Sequence, residues 1–396
     1  MNVFRFYEQI DRSATGSIKD EMTPAAVKAA GLPFYWGAEF DFPTCPAFSE
    51  GVKRCVEKGY YPFTLQTDAY NERVAWWMEH MRDWSVQNEW IVATHGTIFS
   101  LATAIRFLVP EDKKVIIIQP GYNRYKQAAA RLGRGCTHVY MSCDRESFTY
   151  QLDLSALENA MADPDNRLLV FSNPNNPTGT IMDENDLRAI DQLSRKYGVA
   201  VFSDEIFAET VRNGACVIPY GKVAREDSLA ITCTSLGKCM SLTGVNHANV
   251  LITNPKLRER FIVQKYADHY GSIDPMLYAG LLNAYTEEGK DFVDALNRVT
   301  EENYSYFKQN LERILPGCRV TPSNATFLAW VDYRGTGLTI EVLKDLLNKA
   351  LFVGDSGEEY REDSFCYRYS IAVPPQTLEK SMAYLEQIVQ QNKSAV

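Results

Sequence analysis

The sequence predicts an α/β protein, with a large domain on a mainly parallel sheet and a smaller α+β domain at the C-terminal end. Three observations carry this reading. Short runs that are apolar on both faces, Val115-Ile116-Ile117-Ile118 the clearest, alternate with helical segments. After about Pro255 long helical stretches take over. Strand-like segments then return late, at 326–331 and 365–372. With 396 residues, 45% of them hydrophobic, the chain has enough apolar material for more than one domain. The expected division is an N-terminal arm over 1–45 that packs with the small domain, a large domain over 46–285, and a small domain over 286–396.

The elements follow in order. Up to about Pro43 the chain reads as irregular, with one short helix at 24–30. Pro46 stands at a first-turn position of a helix that Gly59 closes. A longer amphipathic helix covers 68–84, and another begins after Gly96. The β runs are 114–119, 138–141, 167–171, 199–202, 229–233 and 249–253, with helices at 154–162 and 184–197 among them. The small domain adds a helix at 340–351 and a terminal helix from Leu378. Repeats, linkers and low-complexity tracts are absent from the sequence.

Composition excludes several function classes. A net charge of −9 disfavours nucleic acid as the main partner, because phosphate contacts need clustered Lys and Arg. Apolar runs fall well short of the roughly 20 residues of a membrane helix. The opening Met1-Asn2-Val3-Phe4-Arg5 lacks the apolar stretch of a signal peptide. The nine cysteines are scattered, without a Cys-x-x-Cys pair, as expected of free thiols in a reducing cytoplasm. Five dispersed histidines without His-Glu-x-x-His predict no metal site.

In parallel α/β sheets, ligands sit at the carboxyl ends of strands. Four clusters fall there. Thr94-His95-Gly96-Thr97 joins a strand to a helix, which makes either a phosphate site or an ordinary capping turn. Ser172-Asn173-Pro174-Asn175-Asn176-Pro177-Thr178-Gly179 is a constrained loop able to hold one amide over a ligand. Asp204, directly after an apolar strand, is expensive to bury unless it meets a cation; as an alternative it caps a helix. Lys238 follows another strand, in Thr234-Ser235-Leu236-Gly237-Lys238; desolvation there would make it a usable amine nucleophile, whereas an isolated lysine is ordinarily solvent-exposed. A phosphate cradle, an amide, an acid and an amine in this chain order match the needs of pyridoxal 5′-phosphate (PLP).

Asn175-Asn176-Pro177-Thr178-Gly179, then Ser203-Asp204-Glu205-Ile206, then Ser235-x-x-Lys238 resemble the signature of fold-type I PLP enzymes of the class I/II aminotransferase superfamily. Within it the chain is most similar to the C–S β-lyases of the cystathionine β-lyase type, a group that includes the maltose-regulon modulator. The similarity runs through Phe34 to Pro43, Tyr60-Tyr61-Pro62-Phe63-Thr64, Lys238 to Gly244, Ala325 to Asp332, and Tyr367-Arg368-Tyr369-Ser370-Ile371-Ala372-Val373-Pro374. The resemblance implies the PLP-dependent transferase fold, with a seven-stranded type of sheet, and a homodimer with shared active sites. It implies that Lys238 carries the cofactor and acts as catalytic base, and that Asp204 pairs with the ring nitrogen. Asn176 would bond the ring oxygen O3′, and Tyr122 would stack on the ring. Gly96, Thr97 and Ser235 would hold the phosphate, while Arg368, helped by Asn176 and the Ala38 backbone, would bind the substrate carboxylate.

Three positions depart from the family pattern. Phe207 replaces a His or Tyr that donates to O3′, Phe63 stands where a partner-subunit Tyr reaches the phosphate, and Asn246 stands where many aminotransferases carry an Arg. The reading favoured by the subgroup is β-elimination on an S-substituted cysteine, giving thiol, pyruvate and ammonia. Transamination uses the same residues and is the alternative. A third reading is a regulatory protein that binds PLP; retention of Lys238, Asp204 and Arg368 together argues against it.

Overall fold

The computed structural model describes residues 4–360 and 362–392. Met1, Asn2 and Val3, read above for a leader, lie outside the described residues, as do residues 393–396 of the expected C-terminal domain. The N-terminal segment carries α1 (Ile18–Met22), capped by Ser17, and α2 (Ala25–Ala30). Only the second was expected. α3 (Pro46–Lys58) has Pro46 in its first turn and Gly59 as a left-handed C-cap. α4 (Asp68–Arg82) follows.

The first sheet begins with β1 (Ile91–Thr94), leading into α5 (Thr97–Leu108). Next come β2 (Lys114–Gln119), α6 (Asn123–Arg131) and β3 (Gly135–Tyr140). A small hairpin, β4 (Ser142–Asp144) with β5 (Thr149–Gln151), was not expected; strands of three residues are too short to show alternation. Then come α7 (Leu154–Ala162), β6 (Asn166–Ser172), α8 (Glu184–Tyr197) and β7 (Ala200–Asp204). The short α9 (Tyr220–Val223), β8 (Ala230–Thr234) and β9 (Ala248–Leu251) complete this part.

The seven strands lie in the order β1-β9-β8-β7-β6-β2-β3. Pairings are parallel except those of β9, which runs against β1 and β8. The sheet is therefore mainly parallel, as expected, and both faces are covered. Val115, Ile117, Val170 and Phe202 pack on one side with Leu101 and Ile105 of α5. Ile116, Ile118, Leu169 and Val201 pack on the other with Leu157 of α7 and Leu187 and Ile190 of α8. This is period-two alternation with apolar residues at every step. Full burial of one such side chain contributes roughly 1.5–3 kcal/mol.

Three long helices follow: α10 (Pro255–Ala267), α11 (Pro275–Ala284) and α12 (Glu287–Ile314). Although the character of the sequence changes at Pro255, α10 still packs on the first sheet through Leu257 and Phe261. Leu277 and Leu281 of α11 join Phe48 of α3.

The second sheet contains β10 (Arg319–Val320), β11 (Leu328–Asp332), β12 (Asp355–Ser356) and β13 (Cys366–Ser370), in the order β10-β11-β13-β12, all antiparallel. α13 (Ile340–Lys349) and α14 (Pro375–Gln391) cover it together with α12, enclosing Phe307, Leu311, Leu343, Tyr369 and Leu385. The N-terminal segment runs beside this sheet. Tyr35 lies buried in its core, donates its N–H to the Val353 carbonyl (3.0 Å) and accepts from Ser370 (2.9 Å). Residues 37–39 thereby reach the ends of the large sheet's strands.

Candidate active site

The nine residues given a cofactor or substrate role from the sequence line one cleft of about 470 Å³: Ala38, Gly96, Thr97, Tyr122, Asn176, Asp204, Ser235, Lys238 and Arg368. The parallel topology causes this convergence, because β1, β2, β6, β7 and β8 end on the same edge. The reversed β9 starts there, which brings in His247.

Asp204 ends β7 and is buried. Its Oδ2 accepts a hydrogen bond from the Tyr125 hydroxyl at 2.5 Å, and Oδ1 accepts the Ile206 N–H at 3.2 Å. Burial pushes its pKa up to about 6, the Tyr125 bond opposing.

Lys238 closes a 3₁₀ turn after β8. Ser235 caps that turn, its Oγ accepting from Gly237 N–H (3.0 Å) and donating to the His247 carbonyl (2.7 Å). The spacing of Ser235 and Lys238 is thus the length of one tight turn. Lys238 Nζ donates to the Ala38 carbonyl at 2.6 Å. Burial, and next the Arg368 charge, lower its pKa to about 8. His247 hydrogen-bonds Tyr285 through Nε2 (2.8 Å), and burial lowers its pKa to about 3, so it is neutral at pH 7.

Gly96 caps α5 with φ of +98°, a region that side chains rarely adopt. Beyond it, the opening N–H groups of a 12-residue helix face a site lined by Gly96, Thr97 and Ile98, favourable for an anion.

The Asn-Pro loop uses two of its three asparagines to fix its own shape and its neighbours. Asn173 Oδ1 accepts from Met182 N–H (3.0 Å). Asn175 accepts from Thr178 N–H and Oγ1 and donates to the Pro120 carbonyl. The third, Asn176, lines the cleft, and its Oδ1 accepts from Arg368 Nη1 at 2.8 Å.

Arg368, on β13, differs from expectation in its surroundings. Its Nε and Nη2 are both engaged by Asp355 Oδ2, at 3.0 and 2.5 Å, and its guanidinium lies 4.8 Å from the Tyr360 ring. Gly37 N–H also points to this carboxylate, at 3.2 Å from Oδ2. The Ala38 backbone expected to help Arg368 therefore has a neighbour at Gly37 already directed at an acid, while Ala38 presents its carbonyl to Lys238.

Tyr122 meets Tyr125 edge to face, with centroids 5.6 Å apart. Phe207 is buried, packs on Phe327 (5.6 Å) and has Lys238 Nζ 6.0 Å from its ring centre. Asn246 lines the cleft, whereas Phe63 is 98% exposed on this chain. Sequence reasoning missed Tyr125, Asp355, Tyr360 and Gly37. Only Tyr125 had a local signal, three residues after Tyr122 at the start of a helix.

A buried acid, an amine of lowered basicity, a helix N-terminus and an arginine–asparagine pair fit a phosphorylated cationic ring that accepts an amine: the acid answers the ring nitrogen, the helix answers the phosphate.

Known proteins agree with this architecture. The chain is 24% identical over 357 residues to cystathionine beta-lyase PatB of Bacillus subtilis (strain 168), covering 90% of this chain and 92% of the relative. It is 24% identical over 387 residues to protein MalY of Escherichia coli (strain K12), covering 97% and 98%. Cystalysin from Treponema denticola, whose crystal structure contains a pyridoxal 5′-phosphate cofactor, superimposes with a TM-score of 0.91 at 24% identity, over 98% of this chain and 99% of that one. Residues 42–385 match the profile of the aminotransferase class I and II family, and with the strand-end lysine, acid and asparagine gathered in one cleft, the chain belongs to that family.

Proposed function

We propose that this protein is a PLP-dependent C–S β-lyase, converting an S-substituted cysteine and water to thiol, pyruvate and ammonia. The observation that carries the reading is Lys238 and Asp204 facing one cleft, Asp204 buried and Lys238 half-buried, both with shifted pKa. The choice of lyase draws on the relatives named cystathionine beta-lyase.

Lys238 is the residue to bond the cofactor. Asp204, kept in place by Tyr125, is the residue to face its ring nitrogen, with Asn176 at the ring oxygen and Tyr122 on the ring. Gly96, Thr97 and Ser235 serve the phosphate. When bound, the cofactor supplies an electron sink for the bond broken at Cα. Once free, Lys238 Nζ takes the Cα proton; a pKa of about 8 leaves part of it neutral at pH 7. Arg368 and Asn176 orient the carboxyl end of the substrate. The thiolate leaves from Cβ.

The same base serves transamination, which differs in where the proton is returned; the family as a whole supports that second reading. Cystathionine or S-methylcysteine, given without any keto acid, separates the two. Thiol and pyruvate in equal amounts support the lyase. An amino group transferred only when 2-oxoglutarate is added overturns it in favour of the aminotransferase, and binding without either reaction, with these substrates and with the amide of S-methylcysteine alike, overturns it in favour of a regulatory role.

The working unit proposed is a homodimer, supported by the exposed apolar run Tyr60, Tyr61, Phe63 and Leu65. Its cytoplasmic placement is supported by nine cysteines, none of them in a disulfide. The division at 45 and 285 is kept as the proposed domain plan, supported by two sheets with separate cores. Among the described residues, no helix is long and apolar enough to cross a membrane.

A further inference from the structure

The donors around Arg368 are those a carboxylate needs, and a carboxylate of the protein already holds them. Asp355 Oδ2 takes Nε and Nη2 of Arg368, the Gly37 N–H at 3.2 Å and the Tyr360 hydroxyl at 3.4 Å. Both side chains of the pair are buried, Arg368 4% exposed and Asp355 2%.

The arrangement is built into the sheet. Asp355 and Arg368 are direct cross-strand partners, followed by Ser356 and Tyr367. Gly354 lets β12 approach so closely: a Cβ there would lie 2.6 Å from the Arg368 carbonyl and 2.8 Å from the Tyr369 ring. A residue with a side chain at 354 would push Asp355 off the arginine.

The surrounding charge points the same way. Glu39, Asp204, Asp355 and Glu359 line the cleft, against Arg124, Lys238 and Arg368. A phosphorylated cofactor adds further negative charge. A substrate carboxylate arriving at Arg368 would be a second anion on a cation already paired in a desolvated site, where like charges are costly. A carboxamide has no such conflict: its carbonyl accepts where Arg368 Nη1 and Asn176 donate, and its N–H donates to Asp355.

We infer that Asp355 is a specificity-determining residue that occupies the carboxylate position on Arg368, turning the site from free amino acids towards substrates carrying an amide there. This rests on the proposed amino-acid chemistry and sharpens its substrate class to S-substituted cysteine whose carboxyl group is masked as an amide, the keto product then being the amide of pyruvate in place of pyruvate.

The test compares alanine with alaninamide, ligands without a β leaving group, titrated into PLP-loaded protein and followed by cofactor absorbance. The wild-type ratio of the two Kd values is set against that of Asp355→Asn. Differences in amine basicity between the ligands cancel between the two proteins. Removing the charge should shift the ratio about tenfold or more towards alanine, through tighter alanine binding. Should the Asn variant fail to fold, Asp355→Ser makes the same comparison. An unchanged ratio, or alanine bound more weakly by the variant, overturns the inference and leaves Asp355 as a group that orients Arg368. Neither ligand needs to react, so this result is independent of the lyase reading. That reading fails separately, if neither S-methylcysteine nor its amide releases methanethiol.

Discussion

The Tyr125 hydroxyl donates to Asp204 Oδ2 at 2.5 Å, and this bond holds a carboxylate that the fold otherwise disfavours. Tyr125 lies in the first turn of α6 and Asp204 at the end of β7, so the contact joins two separate strand ends.

Burying that carboxylate costs stability when no cofactor is bound. The Asp204 pKa of about 6 in the fold exceeds the ordinary value of 3.8, so the folded protein holds this proton more tightly than the unfolded chain. The stabilising contribution is full below about pH 3.8 and lost as pH rises through about 6, a change of order 3 kcal/mol. Cofactor-free Asp204→Asn should therefore melt above cofactor-free wild type at pH 7, with the gap closing towards pH 4. The same variant should retain cofactor poorly. Thermal melts across pH, with and without PLP, measure both; an equal or lower melting point at pH 7 contradicts the assignment.

Lys238→Ala should lose the covalent cofactor absorbance and all turnover. In wild type the neutral amine is the nucleophile. PLP uptake by cofactor-free protein should therefore rise with pH through about 8, well below the 10.5 of an ordinary lysine. Stopped-flow absorbance gives the profile, and a midpoint near 10.5 would mean that the lysine is solvated.

Arg368→Ala should weaken amino-acid binding more than PLP binding. It also strands the buried Asp355 carboxylate, so the fold should lose about 3–5 kcal/mol. The double variant Arg368→Ala with Asp355→Ala should recover most of that loss. Chemical denaturation of the single and double variants tests the coupling; additive losses would show that the pair is not energetically linked.

Phe63 is 98% exposed in one chain, beside Tyr60 and Tyr61. Phe63→Asp should weaken self-association by at least tenfold in Kd, about 1.4 kcal/mol. Sedimentation across concentration reads this directly, and an active, PLP-loaded wild-type monomer would refute the shared-site dimer.

The part of this molecule legible from sequence is the part set by local pattern. Lys114–Gln119 could be read as a strand buried on both sides because no polar residue interrupts Val115 to Ile118. Lys238, Asp204 and Asn176 could be placed in the cleft because each lies at the end of such a strand or four residues past it. Asp355 could not. Its partner is 13 residues away, across a ladder whose β12 strand is only two residues long, too short to carry a pattern. Tyr360 and Gly37 join the same site through tertiary packing alone. α1 is five residues long and rests on its Ser17 cap, a weaker signal than any apolar stripe.

Phe207 is the departure most particular to this chain. It stands three residues after Asp204, buried against Phe327, with Lys238 Nζ 6.0 Å from its ring centre. The resemblance puts a His or Tyr donor there, directed at the cofactor ring oxygen. A donor stabilises that oxygen as an anion and so lowers the pKa of the lysine-bound cofactor, because bonding to a charged form favours it. Phenylalanine has no proton to give, and Asn176 is left as the side chain suited to the task. The bound cofactor should therefore stay protonated to higher pH in wild type than in Phe207→Tyr. A neutral hydrogen bond of about 1 kcal/mol corresponds to a shift of somewhat under one pH unit. The new hydroxyl needs room, and Phe327 is the neighbour that must yield to it. Titration of the cofactor absorbance in both proteins measures the shift directly. Superimposable curves would show that residue 207 serves only to pack against Phe327 and has no hold on the cofactor.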